Sequence, residues 1–201
     1  MFRRSAGPIL IAVLALHGDV LGGAGGSIRG NVKITGLASH ADAIVYVQQV
    51  PSKFMPPPKP VEMDQRGKQF IPHVLPVVVG TTVRFLNNDP THHNVFSPAY
   101  EKYNLGTWRQ GLTKDHTFDT CAKAPCVYVQ LCLIHPEMEA YVAVLQNPFF
   151  ATTGPGGQFE IPDVPPGSYT LAVWHAKRKA QAKSVTVDPA KPAVVDFVLG
   201  P

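Results

Sequence analysis

Charge is scarce in this sequence. Asp, Glu, Lys and Arg make up 16% of the 201 residues, too few for long salt-bridged helices. The 17 Gly and 20 Pro interrupt the chain often enough to favour short strands and turns, and an all-β protein is expected. The 18 Lys and Arg exceed the 14 Asp and Glu only slightly, without the concentrated basic face of a nucleic-acid binder. Nucleic acid is therefore excluded as a partner, and a mildly basic surface is left for an acidic one. There are three cysteines and four methionines (Met1, Met55, Met63 and Met138), too few for the repeated sulfur ligands of a protein that carries many metal ions. No apolar run reaches the roughly 20 residues a membrane-spanning helix needs.

The longest apolar run, Pro8 to Leu16, follows Arg3 and Arg4 and leads into small residues through Gly26. Charged, apolar and small-residue zones in that order are those of a secretory signal. Residues 1–24 are read as that signal, cleaved after Ala24, with the twin-arginine route left open by Arg3-Arg4. The expected destination is the periplasm or the cell exterior. In an oxidising compartment three cysteines leave one over if two pair. Cys121 and Cys126 bracket the turn-like Ala122 to Pro125 and can close a small covalent loop if their Cα atoms lie within about 7 Å. Two unpaired thiols, open to oxidation after export, are the alternative.

Cys132 opens Cys132-Leu133-Ile134-His135-Pro136-Glu137-Met138, between the strand-like runs Val127 to Leu131 and Ala140 to Leu145. One thiol, one imidazole and one thioether thus share an inter-strand loop. Two His, one Cys and a weak axial Met are the ligands of a blue copper site, in which sulfur suits Cu(I) and imidazole suits both oxidation states. A second histidine has to come from elsewhere. His93 is the natural choice, placed after the strand-like Thr81 to Leu86, the turn-forming Asn87-Asn88-Asp89, and before Asn94-Val95-Phe96.

The combination GTTVRFLNND…HNVFS with CLIHPEM resembles the cupredoxins, blue copper proteins of the plastocyanin and amicyanin kind, over residues 61–147. The spacing from Cys132 through His135 to Met138, with Pro136 after the histidine, is similar to amicyanin and to methylamine-utilisation-type plastocyanin-like proteins. The resemblance implies a Greek-key sandwich, one copper ion held by His93, Cys132, His135 and Met138, and a hydrogen bond from Asn94 across to the Cys132 loop. It also implies an apolar surface around His135, to which Leu133, Ile134, Pro136 and Pro90 would contribute.

Each ligand has a plainer reading. His92 could replace His93, although neighbours in an extended chain point oppositely. Cys132 and Met138 could be core fillers, a reading the joint spacing opposes. His40, His73, His116 and His175 lack partners at ligand spacing and read as surface or structural.

The chain ends resemble a second family. GNV…ADAIVYV and GGQFEIPDVPPGSYTLAVW…VTV…VDFVL are similar to the carboxypeptidase-regulatory or transthyretin-like sandwich. Residues 25–53 and 153–201 would form this smaller, discontinuous β-sandwich, with the cupredoxin segment inserted through the stiff linker Pro56 to Pro60 and the return Asn147 to Gly157. A single domain, with both ends adding strands to the cupredoxin sheets, is the competing arrangement. The basic run Lys177-Arg178-Lys179 could meet an acidic redox partner or a membrane surface, or be a solvated turn.

Leu131 and Leu133 flank Cys132, where oxidases and nitrite reductases of this kind place a histidine leading to a catalytic copper, and no His-X-His pair occurs. The expected role is single-electron transfer, not catalysis, with partners such as a dehydrogenase donor or a cytochrome acceptor. Copper delivery or storage is the alternative.

Overall fold

The computed structural model describes residues 25–201; the expected signal segment lies outside the described residues. In chain order the strands are β1 (Gly26–Ile34), β2 (Ile44–Val47), β3 (Val61–Gln65), β4 (Phe70–Ile71), β5 (Val74–Val78), β6 (Thr81–Leu86), β7 (His93–Ser97), β8 (Tyr103–Trp108) and β9 (Thr113–Phe118). They continue with β10 (Cys126–Leu131), β11 (Glu139–Leu145), β12 (Phe150–Thr152), β13 (Gln158–Val164), β14 (Gly167–His175), β15 (Arg178–Val187), β16 (Ala193–Val194) and β17 (Phe197–Leu199). The described residues are all-β, as their composition leads one to expect, and none forms a helix long and apolar enough to cross a membrane.

Four sheets result. One, ordered β5-β11-β10-β7-β8, faces another ordered β4-β3-β6-β9, and alternation along the strands sends one side chain in two to the space between them. Val83 and Phe85 of β6, Tyr128 of β10 and Val142 and Val144 of β11 are buried there with Met63 and Phe118. This is the central sandwich. The remaining two sheets, β13-β1-β16 with β17 also on β1, and β12-β2-β14-β15, enclose a core of Ile28, Val32, Val45, Val47, Ile161, Leu171, Val173, Phe197 and Leu199. That flanking sandwich takes strands from both ends of the chain and is discontinuous.

Two details differ from the sequence reading. The return segment is not only a connection, because Phe150–Thr152 forms β12 and pairs antiparallel with β2; three residues are too few for an alternation to be read. The run VDFVL and the Val194 before it do not form one strand either, since β16 ends at Val194 and β17 begins at Phe197. β1 pairs with β16 up to Arg29 and with β17 from Val32, and between them Asp196 turns its carboxylate to the Asn31 N–H at 2.8 Å. Gly30 makes this crossing possible, since a Cβ there would run into the carbonyl oxygen of Val195.

The two sandwiches share a seam. Ile44 and Tyr46 of β2 and Ala172 of β14 are buried against Val74, Ala143 and Leu145 of β5 and β11. All four residues of β2 are consequently buried, Val45 and Val47 in one core and Ile44 and Tyr46 in the other. Because β2 and β11 start at the same end of the seam, Asp42 and His73, just before β2 and β5, meet at 2.8 Å.

Candidate metal centre

The ligand-bearing segments converge at one end of the central sandwich. β7 begins at His93, which stands opposite Trp108 of β8. β10 runs beside β7, with Leu131 opposite Phe96, and so delivers Cys132 next to His93. β10 and β11 are paired from Cys126–Val144 to Leu131–Glu139, so residues 132–138 close the loop between them.

This brings His93, Cys132 and His135 together, with one ligand atom of each lying within 4.8 Å of the others. His135 Nδ1 is 3.1 Å from His93 Nδ1 and 4.0 Å from Cys132 Sγ. Donors bonded to one ion at about 2.0 to 2.3 Å stand about 3 to 4 Å apart, a range that includes both His135 separations. His93 is fully buried, Cys132 nearly so, and His135 half-buried. Met138 is buried in the same core, and its N–H donates to the His135 carbonyl at 3.0 Å. His92 is exposed.

Two neighbours orient the donors. Asn94 donates its backbone N–H to Cys132 Sγ at 3.4 Å, and its Oδ1 accepts the Leu133 N–H at 3.3 Å. Its amide nitrogen donates to Asn104 Oδ1 and the Gly106 carbonyl at 2.8 and 2.7 Å. One side chain thereby pins the cysteine loop to β7 and β8.

The second neighbour, Asp89, was not singled out by sequence. Its Oδ2 accepts His93 Nε2–H at 2.7 Å, so the lone pair of Nδ1 is free to face Cys132 and His135. Gly67 and Lys68, at the tip of the β3–β4 hairpin, donate their N–H groups to the same carboxylate at 2.6 and 2.8 Å. Burial alone would raise the Asp89 pKa, but the Lys68, Gly67 and His93 donors outweigh it and hold the carboxyl below its ordinary value. Metal-binding histidines commonly donate their second nitrogen to such a group. The signal available in sequence was an acid four residues before a candidate ligand histidine, but Asp is equally at home in the turn that Asn87-Asn88-Asp89 suggests.

The donor set fits a copper ion: two imidazole nitrogens, one oriented with its lone pair inward, and a free thiol in a largely dry pocket. Cys132 is the free cysteine, because Cys121 and Cys126 are joined in a disulfide with Cα atoms 5.7 Å apart. Four other histidines make contacts away from the site. His40 Nδ1 accepts the Ile34 N–H at 3.3 Å, His73 pairs with Asp42, His116 stacks on Tyr103 at 3.8 Å, and His175 Nδ1 accepts the Lys177 N–H at 3.2 Å.

Residues 135–200 match the carboxypeptidase regulatory-like domain. The match starts inside the ligand loop and takes in β11, which in the structure pairs with β10 and β5 of the central sandwich. Among solved structures the chain is similar to a Cu-containing nitrite reductase from Thermus scotoductus SA-01, at 25% identity and a TM-score of 0.41, over 58% of this chain and 28% of that one. It is also similar to a purple cupredoxin from Nitrosopumilus maritimus, at 24% identity and a TM-score of 0.38, over 42% of this chain and 98% of that one. A reduced amicyanin mutant gives 22% identity and a TM-score of 0.39, over 50% of this chain and 97% of that one. The chain thus spans little more than a quarter of the nitrite reductase, whereas about half of it covers nearly the whole of either small protein. No curated protein matches the sequence. The described residues form a central β-sandwich joined to a smaller one built from both flanks of the chain, and the likeness to the carboxypeptidase regulatory-like domain is confined to residues 135–200.

Proposed function

We propose that this chain is an exported single-copper protein that passes electrons one at a time between redox partners, with His93, Cys132, His135 and Met138 as the metal ligands. The observation that carries this reading is the meeting of His93, Cys132 and His135 donor atoms within 4.8 Å, the first two held from behind by Asp89 and Asn94. Copper bound there would supply a one-electron Cu(I)/Cu(II) couple, with thiolate and thioether favouring the reduced ion and imidazole suiting both.

The chain's own contribution is rigidity and exclusion of water. Asp89 fixes the His93 ring, Asn94 fixes the cysteine loop, and both anchors are themselves buried and hydrogen-bonded. Donors that cannot move need little rearrangement when charge at the site changes, which suits repeated transfer. Half-buried His135 gives the site its edge toward solvent. A carrier rather than an enzyme is favoured by Leu131 and Leu133, which flank Cys132 and offer no ligand to a second metal. Export is supported by the Cys121–Cys126 disulfide, a bond that persists in oxidising compartments.

Titration of the mature chain with Cu(II), followed by visible absorption and electron paramagnetic resonance, tests the reading. One equivalent should produce an intense thiolate-to-copper band with narrow hyperfine splitting, and Cys132→Ser should abolish the band. A band that survives that substitution refutes the ligand set. A colourless protein, or one taking several equivalents, turns the reading toward copper delivery or storage.

A further inference from the structure

The end of the molecule that carries the site is broader than the central sandwich. Loops 66–69, 87–92, 109–112 and 132–138 converge there, and the first three are tied to one another. Gly67 and Lys68 donate to Asp89, the Gly111 N–H donates to the Asn87 carbonyl at 2.8 Å, and Gln110 Nε2 donates to the Asn88 carbonyl at 3.2 Å.

The flanking sandwich brings a fifth segment to the same end. Glu139, the residue after the ligand loop, accepts the Tyr141 hydroxyl at 2.5 Å. The Tyr141 ring packs edge-on against Trp174 with centroids 5.4 Å apart, and Trp174 stands just before the β14–β15 turn at Ala176-Lys177. The Asp42–His73 pair closes the seam at this end as well. The basic run Lys177-Arg178-Lys179 therefore follows directly on the part of β14 that packs against Tyr141, at the same end of the molecule as the ligand loop.

The centre of this end is apolar. Leu133 is 61% exposed, Leu112 48% and Ile134 43%, and Pro90 and Pro136 are exposed beside them. On its flanks Lys68, Arg109, Lys177 and Lys179 are exposed and make no salt bridge among the described residues. Of the carboxylates at this end, Asp89 is buried behind His93, Asp42 meets His73 and Asp64 lies 3.8 Å from Arg66, while Glu139 is bonded to the neutral Tyr141 hydroxyl and keeps its charge. Glu137 is exposed and lacks such a partner. A short basic run taken alone is usually a solvated turn. Here four cations from two sandwiches, none in a salt bridge, outnumber the free carboxylates Glu137 and Glu139 and border one exposed apolar centre.

We propose that the ligand-loop end and the β14–β15 turn form a single docking surface for an acidic redox protein. The cations on both flanks attract and orient the partner at long range, and the small apolar centre allows a close contact that also dissociates. The flanking sandwich then acts as a recognition element for the site in its neighbour. The redox character of the partner rests on the proposed function; the surface is defined without the metal. A protein is favoured over an anionic membrane because the cations lie to either side of the loop bearing half-buried His135, leaving that residue open to a second redox centre.

The test uses the full mature chain, metal-free and isotopically labelled for NMR, with the paramagnetic trianion hexacyanochromate(III) as the probe. Amides of residues 109–112, 133–134 and 176–179 should broaden together. The effect should fade as the Debye length is cut from about 30 to about 8 Å by added salt, and should be absent with the cation hexaamminechromium(III). The double variant Lys177→Glu/Lys179→Glu, both outside the ligand loops, should lose the broadening at the turn and weaken it severalfold at 109–112. Broadening at the turn alone, or spread evenly over the molecule, overturns the single surface. Binding to vesicles of phosphatidylserine in phosphatidylcholine that the double variant abolishes overturns the protein partner in favour of a membrane. A chain that takes up no copper yet keeps the broadening pattern sinks the redox reading and not the surface, so the two failures are separable.

Discussion

Replacing Asp89 by Asn tests whether the carboxylate behind His93 prepares the site. Three N–H groups converge on it: Gly67 on Oδ1, and Lys68 and His93 on Oδ2, all within 2.8 Å. An amide has one acceptor oxygen and presents an NH2 group at the other position. Whichever way it turns, at least one of those N–H groups faces a donor, in a site where the side chain is nearly buried. A hydrogen bond to a charged group contributes about 1.5 to 3 kcal/mol, so Asp89→Asn should cost about 2 to 3 kcal/mol. For a chain of this size that lowers Tm by about 4 to 12 °C, read by calorimetry on the metal-free protein. Loss of the ring's orienting partner should also weaken metal binding about 10- to 100-fold, read by competition against a chelator of known affinity. If Tm moves by less than about 2 °C and affinity stays within about twofold, Asp89 does not position His93 and the reasoning fails.

Met138→Leu should retain copper and raise its reduction potential, because losing the axial sulfur favours Cu(I); cyclic voltammetry showing a lower potential would contradict the assigned role. Burial, reinforced by the Arg178 cation, holds the His175 imidazole below its ordinary value, and burial does the same for His116 against the pull of Glu101 and Asp119. Below about pH 6.5 the unfolded chain binds protons at these positions that the folded chain refuses. Stability present above that pH should therefore fall as the solution is acidified, and His175→Asn should flatten the slope in denaturant titrations; an unchanged slope counts against the burial. Ala143→Asp places an unpaired charge in the fully buried seam and should cost more than about 3 kcal/mol. It should also split one calorimetric transition into two, and a single transition at the original temperature would show that the seam does not couple the sandwiches.

The central strands were legible because their alternation is regular. Thr81 to Leu86 buries Thr81, Val83 and Phe85 in turn, and a short loop with Cys, His and Met between two such runs has few uses besides metal binding. What escaped notice depends on contacts between distant segments. Asp89 matters because the β3–β4 hairpin and His93 meet at its side chain, 21 and 22 residues from one set of partners and four from the other. The seam escaped because β2 reads simply as apolar: Ile44-Val45-Tyr46-Val47 shows no alternation when both faces are buried. Likewise β15 begins at Arg178, within the basic run, because polar and charged residues from 178 to 184 conceal a strand whose pairing is supplied by β14.

That four-residue strand bears on how separable the two halves are. Cutting the flanking sandwich away would bare Val74, Ala143 and Leu145 to water along with Tyr141, and removing the central one would bare Ile44 and Tyr46. Neither half carries a finished outer surface of its own there. The segment that joins them is thus not a tether that recombination could cut and paste freely: mutations at β2 are answerable to two interiors at once, and substitutions there should be poorly tolerated.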